Sequence, residues 1–240
     1  KPLQKKEGGV EHFEIDLELA LSLKEMSRQS GVSMFMTLHT AFAILLYRYS
    51  NQDDIVIGTP IANRNYKEIE PLIGFFVNTL ALRSDISGNP NFKEVLTRMR
   101  ETTLDAYAHQ DVPFEKIVEE LQPVRSMSHT PLFQVMFDWQ NASREILELP
   151  GLSITPLELK YAIAKFDLTL TMGESSRGMY GDFEYDARLF DEETIKIMSL
   201  KFLLLLEGIA KKPTMKISDY DILLPVEKEL NNLLEIEVDI

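Results

Sequence analysis

The chain's four imidazoles, His12, His39, His109 and His129, lie far apart in sequence. No His-Glu-x-x-His pattern and no paired-carboxylate spacing accompanies them, so each reads first as a structural residue, and no metal site is expected. Cysteine is absent, which removes disulfides, thiolate metal sites and cysteine nucleophiles together. There is no Gly-x-x-x-x-Gly-Lys-Ser/Thr loop, no Gly-x-Gly-x-x-Gly turn and no Gly-x-Ser-x-Gly elbow. Residue chemistry alone therefore shows no complete active site.

Three stretches stand out instead. Ile73-Gly74-Phe75-Phe76-Val77-Asn78-Thr79-Leu80 sets an amide and a hydroxyl inside an apolar run. An amide buried there costs free energy unless it is hydrogen-bonded, so Asn78 requires a specific partner, either neighbouring backbone or something functional. His109-Gln110-Asp111-Val112-Pro113-Phe114-Glu115 joins a polar triplet to a proline that suits the first turn of a helix, with Asp111 a candidate N-cap. In Arg125-Ser126-Met127-Ser128-His129-Thr130-Pro131-Leu132, Arg125 reads as a structural ion-pair partner.

The elements that must position these stretches follow from periodicity. His12 to Asp16 alternates as a strand does. Leu19, Leu23 and Met26 recur at helical spacing up to Gly31. Ser33 caps a second helix whose core stripe is Phe35, Leu38, Phe42, Leu45 and Tyr49. Ile55 to Gly58 and Phe75 to Leu82 read as apolar strands, with a polar loop from Ala62 to Glu70 between them. Asn89-Pro90-Asn91 opens a long helix ending near Ala108. Phe133 to Phe137 is a further strand candidate. After a loop around Pro150-Gly151, Phe166 to Met172 and Met179 to Tyr185 alternate around turn chemistry, Gly173 to Gly178, as a hairpin does. Asp191 can cap a helix to about Ala210, with Phe190 and Ile195 as a hydrophobic staple. From Pro213 to Ile240 the chain reads as a tail or linker. Strands alternating with helices, plus one late hairpin, imply a two-layer α/β sandwich with a mixed sheet, in one compact unit.

Composition narrows the partners. The chain has 240 residues, 45% of them apolar, and a formal net charge of −13. It is long enough for a full core, and its balance excludes disorder. Acidity and the lack of basic clusters argue against nucleic acid. The apolar run Phe202 to Leu206 is far short of the roughly 20 residues a membrane span needs. No signal peptide opens the chain, and the missing cysteine fits a cytoplasmic setting. The first residue is Lys1 rather than a methionine, which gives the expectation that the native beginning lies upstream.

In order and spacing, the three stretches resemble the C-terminal signature motifs of condensation domains from non-ribosomal peptide synthetases. The first is similar to (Ile/Val)-Gly-x-Phe-Val-Asn-Thr and matches fully, at Gly74, Phe76, Val77, Asn78 and Thr79. The second, at His109, Gln110, Asp111, Pro113, Phe114 and Glu115, matches fully its counterpart (His/Asn)-Gln-Asp-(Tyr/Val)-Pro-Phe-Glu. The third agrees with Arg-Asp-x-Ser-Arg-Asn-Pro-Leu only at Arg125, Ser128, Pro131 and Leu132. Asp53 to Pro60 with Arg64, Lys165 to Leu168, and Leu223-Leu224-Pro225 extend the resemblance over nearly the whole chain.

The resemblance implies half of a V-shaped pair of chloramphenicol-acetyltransferase-like subdomains. Residues 1–212 would be the C-terminal half of the condensation domain, and 213–240 a tail leading towards an adenylation domain. The reaction implied is amide formation between a donor and an amine. Each is tethered by phosphopantetheine to a carrier protein, so the chain itself needs no bound cofactor. The family's His-His-x-x-x-Asp-Gly motif belongs to the N-terminal half, and no two histidines are adjacent here. The chain alone is therefore expected to be inactive, with no catalytic residue of its own. Its implied partners are the N-terminal subdomain, carrier proteins and the adenylation domain. Asn78, Thr79 and Arg64 would line the substrate tunnel or support it. Arg64 is the implied partner of that motif's aspartate and, without it, would be mobile or borrowed by Glu68 or Glu70. Alternatives are a non-catalytic module that docks carrier protein, or an epimerisation-type relative, which the Phe76-Val77-Asn78-Thr79 string disfavours.

Overall fold

A computed structural model describes residues 8–64, 66–123, 130–140, 152 and 163–229. Strand β1 (Gly8–Asp16) leads into helix α1 (Leu17–Gln29), capped by the Asp16 carboxylate, which accepts from Leu19 N–H. Helix α2 (Met34–Ser50) is capped by Ser33, as its sequence predicts. The hairpin β2 (Asp54–Ile61) and β3 (Asn78–Asp85) follows, then α3 (Phe92–Ala108) and α4 (Phe114–Leu121). Strand β4 (Val135–Gln140) precedes the hairpin β5 (Leu168–Ser175) and β6 (Gly178–Asp186), and α5 (Glu192–Lys211) closes the set.

The described strands form one mixed sheet in the order β1-β6-β5-β4-β2-β3. The β2–β4 and β4–β5 pairs are parallel and the rest antiparallel. Register puts Phe13, Ile15, Phe183, Leu170, Phe137, Ile57 and Leu82 on one face, where the core lies. Phe42 of α2 sits at its centre, with ring centroids 6.0–6.4 Å from those of Phe137, Phe183 and Phe202. The sandwich is thus two-layered, as the sequence implied. Among the described residues no single helix is long and apolar enough to cross a membrane.

Helix α2 is buried all round from Met36 to Leu45, because the sheet and other helices enclose it. Tyr49, expected in the core stripe, is exposed. His39 lies inside this helix, fully buried between Phe35 and Phe137 with both ring nitrogens unpartnered. Burial pushes its pKa down to about 3. In the unfolded chain the imidazole protonates near 6.5, so the unfolded state binds more protons between those values. Stability should fall as pH drops below 6.5, with His39 contributing about 2 kcal/mol of the loss by pH 5. Urea unfolding at pH 7.5 and 5 should show a smaller drop for His39→Phe than for the wild type; an equal drop would refute the assignment.

Several features differ from the sequence reading. Strand β3 begins at Asn78, because β2 ends at Ile61, its partner, and the apolar residues before it leave the sheet. Strand β4 begins at Val135, because Leu132 turns through φ +70° and the Thr130 hydroxyl holds the Phe133 carbonyl. Pro113, two residues after the expected cap Asp111, takes the N-cap position of α4. Asp191 occupies the cap position of α5, but its side chain makes no capping bond. Residues 213–222, read as linker, bury Ile217, Tyr220 and Ile222 in the core. Arg48 Nη1 donates to the carbonyls of Ile217, Ser218 and Tyr220 at 3.0–3.2 Å. The loop at Pro150-Gly151 lies outside the described residues.

Candidate functional site

Asn78, the first residue of β3, ties two of the sequence motifs together. Its Nδ2 donates to the carbonyls of Gln110 and Val112, both at 2.8 Å. Its Oδ1 accepts from Thr79 N–H at 2.9 Å and Phe114 N–H at 3.1 Å. Each face of the amide meets only complementary backbone groups, which also fixes its orientation. Satisfied this way, Asn78 shapes the site through backbone and offers no free polar group of its own. Thr79 pairs with Pro60 across the hairpin.

The segment ahead of Asn78 is exposed and apolar. Ile73 and Phe75 are more than 90% exposed, and Leu72 and Val77 about half. Arg64 braces this loop: Nη1 donates to the carbonyls of Ile69 and, at 2.9 Å, Glu70, and the guanidinium carbon lies 4.3 Å from the Phe76 ring centroid. Backbone carbonyls, not the carboxylates of Glu68 or Glu70, therefore take the arginine, and its side chain is held. Gly74 allows Phe76 to fold back, since a Cβ there would meet the ring at 2.8 Å.

The second motif runs from the end of α3 into α4. His109 is the exposed C-cap of α3, and its carbonyl accepts from Val112 N–H. The carbonyl of Pro113 accepts from Lys116 and Ile117, and Glu115 is exposed in the first turn. Phe114 packs on Phe133, their centroids 5.5 Å apart, and Phe133 on Phe166 at 5.7 Å. Phe133 in turn lies on Gly58 of β2, where an added Cβ would come within 2.2 Å of the ring. Of the third motif, Pro131 and Leu132 form the turn that delivers Phe133; Arg125 and Ser128 lie outside the described residues.

Register also assembles a polar face that the sequence reading missed, on the side of the sheet away from the core. Asp138, Thr171, Asp182 and His12 form one row across it, and Gln140, Gly173, Tyr180 and Glu14 the next. Tyr180 crosses bare Gly173 to donate to Gln140 Oε1 at 3.0 Å, and His12 Nδ1 lies 2.7 Å from Asp182 Oδ1. Burial pushes the Asp138 carboxyl up, against a hydrogen bond from Gln140 that lowers it. The alternation Phe137-Asp138-Trp139-Gln140 is the available signal, lost when the strand is ended at Phe137. No group of three or more His, Asp or Glu is placed to hold a metal among the described residues.

Comparison with known proteins agrees with this arrangement. The condensation-domain family model matches residues 1–230. One linear gramicidin synthase of Brevibacillus parabrevis is 50% identical over 231 residues, 95% of this chain and 4% of that protein. Malpinin synthetase of Mortierella alpina is 55% identical over 181 residues, 75% of this chain and 2% of that protein. A crystal structure of a four-domain non-ribosomal peptide synthetase bound to AMP and glycine superposes with a TM-score of 0.86. That match covers 94% of this chain and 18% of the other, at 24% identity, and so bears on the fold alone. The chain thus spans only a few per cent of the curated relatives' length.

Proposed function

The chain belongs to the condensation-domain family of non-ribosomal peptide synthetases, and we propose that it forms one wall of an amide-forming site. In that reaction a carrier-bound amine attacks the thioester carbonyl of a carrier-bound acyl donor. A C–N bond forms, the C–S bond breaks, and the amine's proton is passed on as the thiol departs. The wall's contribution is positioning: holding two tethered reactants together lowers the barrier by several kcal/mol.

The observation that carries this reading is the loop Leu72 to Val77. It is apolar and uncovered, yet fastened by Arg64 at one end and by Asn78 at the other. An apolar strip kept rigid in water is built to meet a surface. The family's N-terminal half is the partner proposed for it, carrier domains dock at the joint, and the adenylation domain lies beyond Leu223-Leu224-Pro225. Among the described residues Arg64 hydrogen-bonds through Nη1 alone, which supports a role for its other edge in meeting the aspartate of the His-His-x-x-x-Asp-Gly motif as a fork.

Two loaded carrier proteins are mixed with this chain, with the family's N-terminal half, or with both, and dipeptidyl thioester is read by mass. The expected result is product only with both halves, and self-association of the chain alone, seen by light scattering, that the N-terminal half relieves. Turnover by the chain alone would sink the proposal. So would a chain that stays monomeric at high concentration and ignores the supplied half.

A further inference from the structure

At the far end of β3 from Asn78, a cleft of about 560 Å³ opens between β3 and α3. Its size suits a small ligand. Val95 and Met99, both buried, contribute an apolar lining. The rim is acidic. Two carboxylates are already paired: Asp54 with Arg83, as a fork at 2.7 and 2.8 Å, and Asp85 with Arg98 at 3.9 Å. Asp53, Glu101 and Asp105 enter no ion pair among the described residues, so the cleft carries uncompensated negative charge.

A second observation is independent of this charge. Ser84, on the core-facing side of β3, also lines the cleft and is only 3% exposed, yet its Oγ has no hydrogen-bond partner. A buried hydroxyl left unpaired carries the full desolvation penalty of that group. A ligand that brings a polar hydrogen to it would recover that energy. Apolar lining, an orphan acceptor and a carboxylate rim together describe one kind of guest.

We propose that this cleft binds a primary ammonium group carried on a short alkyl chain, the methylenes against Val95 and Met99 and the ammonium among Ser84, Glu101, Asp105 and Asp53. That chemistry has two sources, a free aliphatic diamine and a lysine side chain. The full chain is titrated calorimetrically in about 0.15 M salt, where long-range attraction is screened. The probes are 1,5-diaminopentane, Nα-acetyl-lysine N-methylamide and, as the uncharged control, 1,5-pentanediol. Both amines should bind and the diol should not. Tighter binding of the diamine identifies a free metabolite, and tighter binding of the lysine derivative a protein side chain. Glu101→Gln with Asp105→Asn should weaken binding by about tenfold, and Ser84→Ala should weaken it further. Glu192→Gln with Glu193→Gln, on α5, removes the same charge elsewhere and should leave it unchanged. Equal loss from both double variants would mean diffuse attraction to an acidic protein and would overturn the site. No binding of either amine, or equal binding of the diol, would do the same. None of these outcomes depends on amide formation.

Discussion

Asn78→Asp is expected to destabilise the chain by about 3 kcal/mol, although it changes one NH₂ group to an oxygen. The lost group donates to the carbonyls of Gln110 and Val112 at 2.8 Å. The new oxygen would carry negative charge and face both carbonyls without a hydrogen between. Asn78→Ala loses the same bonds without adding repulsion, so it should cost less. Urea midpoints at pH 7 should therefore fall in the order wild type, Asn78→Ala, Asn78→Asp. In a complete condensation domain the Asp variant should lose about 100-fold in rate, because releasing Gln110 to Phe114 from β3 shifts the wall by an ångström or more. A wild-type midpoint for Asn78→Asp would show that the amide holds nothing.

The second large effect belongs to Gly58. An alanine there puts Cβ 2.2 Å from Phe133 Cε2 and 2.4 Å from Cζ, closer than any real contact. The ring cannot yield freely, being packed between Phe114 and Phe166. Overpacking of this kind costs about 1–3 kcal/mol, and Gly58→Val should sit at the top of that range. Shrinking the obstacle provides the check. In the double variant Gly58→Ala with Phe133→Leu, the two losses should fail to add by about 1 kcal/mol or more. Strict additivity would mean that the ring and the glycine are not in contact.

Much of this arrangement could be read from sequence where local chemistry decides the outcome. Ser33 caps α2, and Asn91 with Glu94 closes a capping box on α3. The late hairpin turns through Ser176-Arg177 into Gly178, whose φ of +137° disfavours other residues. What failed was the inference from apolar to buried. Ile73 to Val77 carry the same hydrophobicity as a core strand, but they face water, and only the end of β2 at Ile61 reveals it. Phe133 looked like a strand residue and is a plug on Gly58. Ile217, Tyr220 and Ile222 follow neither a helical nor a strand period, so their burial left no pattern to detect. At the site, a polar residue in an apolar run correctly marked Asn78. Three of its four partners lie 32 to 36 positions away, and no spacing rule reaches them. Both fully matched motifs are the ones this amide joins.

The strand order carries a consequence for the time course of folding. Among the described strands β1 comes first in sequence and pairs only with β6, the last of them: His12 and Asp182 meet across 170 positions. At ribosomal speeds of roughly 5–20 residues per second, β1 waits roughly 10–35 s for its partner. Through that interval Phe13 and Ile15 have no sheet to join, and β4 cannot be flanked on both sides until β5 is made. Early synthesis can complete the local β2–β3 hairpin and helices α1 to α3, but not the layer they cover. Long-range closure of this kind slows folding, and leaves an open edge for other chains while it lasts. The described sheet can thus close only after the β5–β6 hairpin has emerged, with β5 pairing to β4 on one side and β6 to β1 on the other.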